Sequence, residues 1–434
     1  MVCRARGQPG LNGGDGQPAG TRAGVKAWVK AWIKAGACVK RLGAILLWSA
    51  VAAAFIGPGT VTTAASAGAS HGAALMWAVV FSIAATFVLQ EAAARLTIAT
   101  GSDLAEILRQ RFAHGWTRAV TLLLAGGAVA IGSIAYEAGN ILGAVAGAGL
   151  EIDWPKPVLT AVLGGTAALL LAAGSPARIA RLLAGLVGLM GAGFLVTAAL
   201  LAPPLAEIAA GIAFPAIPAG AGLSVVALIG TTVVPYNLFL GSSLARGGSL
   251  AETRFGLGVA VGIGGLITLG VVVVGSALEG AFSFERLEAL LTARLGAWAG
   301  AGLALGLFAA GLSSAVTAPL AAALTVRGLI AEPHDPRWSA TGWRFRAVWG
   351  TVLAAGVAFG TAGIRPVPAI VLAQALNGLL LPVVAVFLML AMRDRARLGD
   401  AASGPAGTAA MGAVTGIAAL LGGVSLARVF GVLA

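Results

Sequence analysis

Long apolar segments recur along the chain from about residue 42 onward, and they constrain the fold more than any other feature. Eleven can be placed, at roughly 42–70, 73–96, 119–148, 157–174, 182–202, 221–245, 256–278, 297–326, 345–363, 367–391 and 406–432. About 20 apolar residues carry a helix across the hydrocarbon core of a bilayer. Inside that core only helices and closed barrels satisfy every backbone N–H and C=O. The pattern predicts an all-α membrane protein of about 11 transmembrane helices with short connections. Charge content agrees. Of 434 residues, 10% are charged and 59% hydrophobic, whereas soluble domains run near 25% charged. That excludes an ordinary water-solvated surface and, for most of the chain, disorder.

The scarce charge is sorted. With the N-terminus in the cytoplasm, 23 of the 28 basic residues fall in the N-terminal arm and the inner loops. Five remain outside, namely Lys156, Arg286, Arg294, Arg365 and Arg428. Cytoplasmic loops favour Lys and Arg, so the net charge of +12 reads as topology. Eleven spans then put the C-terminus outside. Nucleic-acid binding is the competing reading of so basic a chain, but no aromatic-basic binding module accompanies the charge. The expected partners are the lipid bilayer and a small ion substrate, with protons as a candidate co-substrate, and no nucleic acid. An integral protein of the plasma or bacterial inner membrane is expected.

The predicted domains are an arm over 1–41 and one transmembrane domain over 42–434. Within the arm, Lys26, Lys30 and Lys34 alternate with Trp28 and Trp32 at four-residue spacing. Such a basic amphipathic helix suits the membrane interface, as a topology anchor. The first apolar run starts only near Leu42, so no cleavable signal peptide is expected. Cys3 and Cys38 form no framework, and His71, His114 and His334 fall at helix ends or loops. No cofactor is expected. Neither a nucleophile elbow, a P-loop nor a pair of catalytic carboxylates is present, so the chain does not read as an enzyme.

Two of the spans are interrupted by residues that break helices. Gly57-Pro58-Gly59-Thr60 divides the first, and Thr231-Thr232-Val233-Val234-Pro235-Tyr236-Asn237 divides the sixth. Glycine and proline cost about 1 and 3 kcal/mol in a helix interior. Broken spans at corresponding places in two halves point to a transport site. The first five spans (repeat one, 42–202) and the next five (repeat two, 221–391) would each open on a broken helix, with an extra helix over 406–432. Five is odd, so the halves would be inverted.

At these residues the chain resembles the NRAMP family of proton-coupled divalent-metal transporters. Asp-Pro-Gly-Asn of the family corresponds to Gly57-Pro58-Gly59-Thr60, followed by Ala67-Gly68-Ala69. Gln90, Arg95-Leu96, Thr100-Gly101 and Leu104-Ala105-Glu106 match the second-span pattern. Thr232-Val233-Val234-Pro235-Tyr236-Asn237-Leu238 matches the sixth-span motif, and Gln374 with Pro382 the tenth. The resemblance implies a LeuT-like fold, an inverted repeat of two five-helix halves with helices 1 and 6 broken. It also implies a substrate site at Gly57, Thr60, Thr231, Val234, Asn237 and Gln374.

The departures are chemical. The family's metal-binding Asp and Met are replaced by Gly57 and Val234, so a charged oxygen and a soft sulfur are absent. Thioether selects for soft transition metals. The remaining candidate cation ligands, Thr60, Thr231 and Gln374, are neutral. A largely hydrated magnesium ion, which gives up water reluctantly, is favoured over manganese or iron. The family's two sixth-span histidines correspond to Tyr236 and Gly241. Of 16 acids, Glu91 and Glu137 lie well inside spans. Glu91, four residues before Arg95, reads as an intrahelical ion pair. Glu137 matches an Asp of the family's proton pathway, with Asn140 in place of its Glu. It reads as a proton carrier or cation-attracting charge, or else as a structural acid. Ser313, Ser314 and Thr317 could donate back to their own helix or line a cavity, and packing is the favoured reading. The expected function is secondary active transport of a divalent cation by alternating access. The alternatives are a small organic solute or another ion, or a non-transporting receptor on the same fold.

Overall fold

A computed structural model describes residues 56–173, 177–332 and 335–429. The amphipathic arm, both cysteines, His334 and the first half of the first span lie outside the described residues. The elements are α1 (Pro58–His71), α2 (Met76–Thr100), α3 (Leu104–Arg111), α4 (Gly115–Ala148), α5 (Lys156–Ala173), α6 (Ala177–Leu201), α7 (Leu205–Ala213), α8 (Gly222–Thr232), α9 (Pro235–Leu244), α10 (Leu250–Ser276), α11 (Phe284–Leu295), α12 (Trp298–Ile330), α13 (Trp343–Thr361), α14 (Pro366–Met392), α15 (Arg395–Leu398) and α16 (Pro405–Val429). No strand occurs among the described residues.

Within the described residues, each predicted apolar segment coincides with a helix. Among those residues, nine stretches are long and apolar enough to cross a membrane, the run from Pro58 to Thr100 being one of them. The segment expected at 345–363 is α13, which carries Arg344 and Arg346 in its first turn and falls outside those nine. The stretch between the seventh and eighth spans forms α11, with Ser283 accepting from the Arg286 N–H as its N-cap.

Close helix approach rests on glycine. Helices in lipid gain little from the hydrophobic effect against one another and associate through small residues that let backbones touch. A methyl group on Gly230 of α8 would overlap the carbonyl oxygen of Gln374 on α14, and one on Gly378 would overlap that of Val226. Gly68 and Gly275 seat α1 against α10 in the same way. Gly143 of α4 receives the ring of Pro58. These contacts carry the two breaks onto the neighbouring helices at fixed depth. They also bury α8 and α9 almost completely. Gly230→Ala should therefore lower the melting temperature in detergent, by the equivalent of about 1–3 kcal/mol of overpacking. Gly412→Ala, where a methyl meets nothing within 4 Å, should melt like the parent. Equal melting of the two variants would contradict the packing account.

Candidate substrate site

The second break is visible as interrupted hydrogen bonding, and at the first the described residues show the helix that follows it. Gly57 is extended (φ −110°, ψ −177°) and caps α1, which starts on Pro58. Proline suits a first helical position because its missing N–H would have no intrahelical partner. Helix α8 stops at Thr232; Val233 and Val234 leave helical geometry (ψ 75° and 124°), and Pro235 starts α9. The sequence is 171 residues long between Thr60 and Thr231, yet their hydroxyl oxygens lie 2.9 Å apart, in hydrogen-bond contact.

Gln374 of α14 closes the gap. A Cβ on Gly59 would overlap its amide nitrogen and lie 3.5 Å from the Thr231 hydroxyl, so glycine at 59 is what admits the amide. Both polar atoms of Gln374 are buried without a hydrogen-bond partner. Those of the Asn237 side chain are likewise unpartnered. Buried polar atoms normally find partners, so this concentration marks a place built for something polar. Helix α2 braces the second break. Gln90 Nε2 donates to the Asn237 carbonyl at 2.9 Å, and the Thr86 hydroxyl lies 3.4 Å from the Thr232 carbonyl. Val234 is buried and presents only an aliphatic side chain.

The space beyond Gly57 is polar too. A Cβ there would stand 3.3 Å from Ser314 Oγ and 3.9 Å from Asn140 Oδ1. Both of those oxygens are buried and unpartnered. Asn140 Nδ2 reaches Glu137 Oε2 at 3.4 Å, while Glu137 Oε1 has no partner. Glu137 is fully buried, and its side chain lies against Gly356 of α13, where a methyl would overlap its Cγ. The Tyr136 and Tyr236 rings meet edge-on at 5.3 Å. The line of Glu137, Asn140 and Gly57 thus connects a buried carboxyl group to the first break.

Two elements of this neighbourhood escaped the sequence reading. Ser314, read as packing, faces the first break. Its signal was a Ser-Ser-Ala-Val-Thr run on a helix made mostly of Ala, Gly and Leu. Asn377 follows Gln374 by one helical turn and points to α4, with Nδ2 3.0 Å from the Ala373 carbonyl and 3.4 Å from that of Gly132. None of the six expected substrate residues is charged. The local field comes from backbone: the negative C-terminal end of α8 and the positive N-terminal ends of α1 and α9 all face the gap. Among the described residues, no three of His, Cys, Asp and Glu gather to hold a metal ion.

Glu91 is an ion-pair residue, but its main partner is remote. The predicted Arg95 contact is present at 3.3 Å. Arg254 of α10 grips the other carboxylate oxygen through two nitrogens at 2.9 and 2.7 Å. A second ionic group fastens α3 to the end of α9. Asp103 and Glu106 form a capping box, and Arg246 bridges them at 3.4 and 2.7 Å. The Ser242 hydroxyl joins Thr97 (2.6 Å) to the Leu104 N–H (2.7 Å). Burial pushes the Asp103 carboxyl above its ordinary range, opposed by the Glu106 N–H and the Arg246 charge. Helix α9, the far half of the second break, is thus latched at its outer end to the α2–α3 turn.

The likeness to known proteins falls on this architecture. The family described as natural resistance-associated macrophage protein-like matches residues 49–428. The divalent metal cation transporter MntH of Verminephrobacter eiseniae is 31% identical over 360 residues, covering 76% of this chain and 77% of that protein. The MntH of Yersinia pestis is 28% identical over 310 residues, covering 66% and 73%. Among solved structures, a manganese transporter of Eremococcus coleocola superposes with a TM-score of 0.70 at 19% identity, covering 89% of this chain and 87% of that one. MhsT, in complex with L-phenylalanine, superposes at 0.60 with 16% identity, covering 88% and 97%. The fold is therefore the LeuT-like one of these membrane transporters. With the family match spanning both helix breaks, Gln374 and all but the last described residue, the chain belongs to the natural resistance-associated macrophage protein (NRAMP) family.

Proposed function

We propose that the chain is a secondary active transporter that moves divalent metal cations by alternating access. The substrate would bind where the breaks meet. The observation that carries this reading is the buried junction of Thr60, Thr231 and Gln374, with unpartnered amide atoms at a point that two interrupted helices share. The family, and the divalent metal cation transport for which the MntH relatives are named, supply the substrate class.

Within that class, a hard, largely hydrated ion such as magnesium is favoured over manganese or iron. Hydroxyls, amide oxygens and freed carbonyls can hold an ion's water shell, and neither carboxylate nor thioether is at hand to replace it. Glu137, buried beside Asn140, supplies the nearest negative charge. In its ionised form it draws a cation toward Gly57, and its protonation would release that attraction, which couples transport to pH. Asn140 and Tyr236 complete that pathway. The two five-helix halves act as inverted repeats, and the Arg246 latch opens as α9 moves. The N-terminus lies in the cytoplasm and the C-terminus outside, as the arginine distribution favours. The absence of a carboxylate at Gly57 favours one second reading, transport of a small organic solute through the same gap.

Purified protein in liposomes should take up magnesium in preference to manganese, with a dependence on an imposed pH gradient. Micromolar manganese uptake with magnesium excluded would contradict the hard-ion reading. No saturable uptake of magnesium, manganese or calcium would favour the organic solute. Glu137→Gln should reduce pH-dependent uptake by about tenfold or more, the effect of at least ~1.4 kcal/mol. Unchanged coupling would leave Glu137 a structural acid.

A further inference from the structure

A basic basin opens at one membrane face, away from the substrate gap. It lies between the end of α14 and the start of α16, both of which are long and apolar enough to span. Its volume is about 560 Å³, and Arg393, Arg395, Ser403 and Thr408 line it together with Pro405 and Ala409. No carboxylate lines it. Asp394, the acid between the two arginines, turns away to Arg111 (2.8 Å) and Arg397 (3.4 Å). Arg393 and Arg395 are exposed, and among the described residues neither makes a side-chain hydrogen bond or ion pair.

The rim of the basin is held in place. The Ser403 N–H donates to the Met392 carbonyl at 2.9 Å. Arg95 of α2 reaches across to the Ala401 carbonyl (2.9 Å) and the Ser403 hydroxyl (3.3 Å). The turn between the two spans is thus fixed from the bundle side, while its two unpaired guanidinium groups stay on the open side. Charge-assisted contacts to a phosphate are the strongest that such a pair can make, and guanidinium geometry matches phosphate oxygens two at a time. Basic pockets between spanning helices on a cytoplasmic face attract anionic headgroups.

We propose that Arg393 and Arg395, with the hydroxyl of Thr408, bind the phosphate of an anionic phospholipid headgroup, whose acyl chains lie along α14 and α16. The lipid holds the α14–α16 turn against α2 through the same loop that Arg95 grips. The source is a lipid and not a free phosphate because the basin opens where two helices long and apolar enough to span a membrane end.

The test uses full-length protein purified in mild detergent. Native mass spectrometry reads retained lipid, and thermal melting is followed on adding phosphatidylglycerol, phosphatidylcholine or inorganic phosphate. Phosphatidylglycerol should be retained and should raise the melting temperature, while phosphatidylcholine and inorganic phosphate should not. Each surface arginine contributes about fivefold to such binding, so Arg393→Gln with Arg395→Gln should reduce retention about 30-fold. If the double variant is poorly behaved, Arg395→Gln alone should reduce retention about fivefold, and Arg365→Gln at the opposite end of α14 should leave it unchanged. Three results would each overturn the proposal. One is equal retention by the arginine variants and the parent, another is equal stabilisation by phosphatidylcholine, and the third is a rise with inorganic phosphate matching that with phosphatidylglycerol.

Discussion

Backbone that leaves helical geometry inside a membrane must find polar partners within the protein. That requirement organises this structure. At the second break the partners come from α2, through Gln90 and Thr86. Between the breaks the two elements are tied by side chains, through the Thr60 and Thr231 hydroxyls. Glycine then sets how near the surrounding helices stand. Gly230 and Gly378 bring α14 against α8 closely enough for Gln374 to reach the gap, and Gly59 leaves room for its amide. A larger residue at any of these positions would push Gln374 away from the gap.

The same arrangement separates two uses of charge. At the gap itself no side chain is charged, and the buried Glu137 stands to one side behind Asn140. Toward the ends of the helices charge is used as fastening. Arg254 and Arg95 clamp Glu91, Arg246 clamps Asp103 and Glu106, and Arg111 with Arg397 clamps Asp394. Partly exposed ionic contacts are individually weak, so under the proposed alternating access they could open at little cost. A neutral gap, in turn, leaves most of the cost of dehydrating a divalent ion unmet, which is the physical ground for proposing a hydrated ion as its substrate.

Much of this was legible in the sequence, because its signals are local. Apolar length located the helices, and Gly57-Pro58-Gly59 and Pro235 located the breaks within a residue or two. The pairing of Glu91 with Arg95 was legible as an i, i+4 spacing. Its stronger partner, Arg254, was not, since 163 residues separate them and only the packing of α2 on α10 joins them. Ser314 illustrates the same limit. A serine in a small-residue helix has the composition of packing, and its role depends on which face meets Gly57. The Arg344 and Arg346 pair also shows where hydropathy alone weakens, in a helix that starts with charge and still packs along α4.

The central claim is that the missing carboxylate at position 57 decides which ions the site holds. Calorimetric titration of manganese into the purified parent and into Gly57→Asp tests it directly. The new Cβ has room if Ser314 gives by a few tenths of an ångström. The account predicts weak manganese binding by the parent and binding at least about tenfold tighter by the variant, or ~1.4 kcal/mol. Manganese binding by the parent as tight as that of the variant would contradict it.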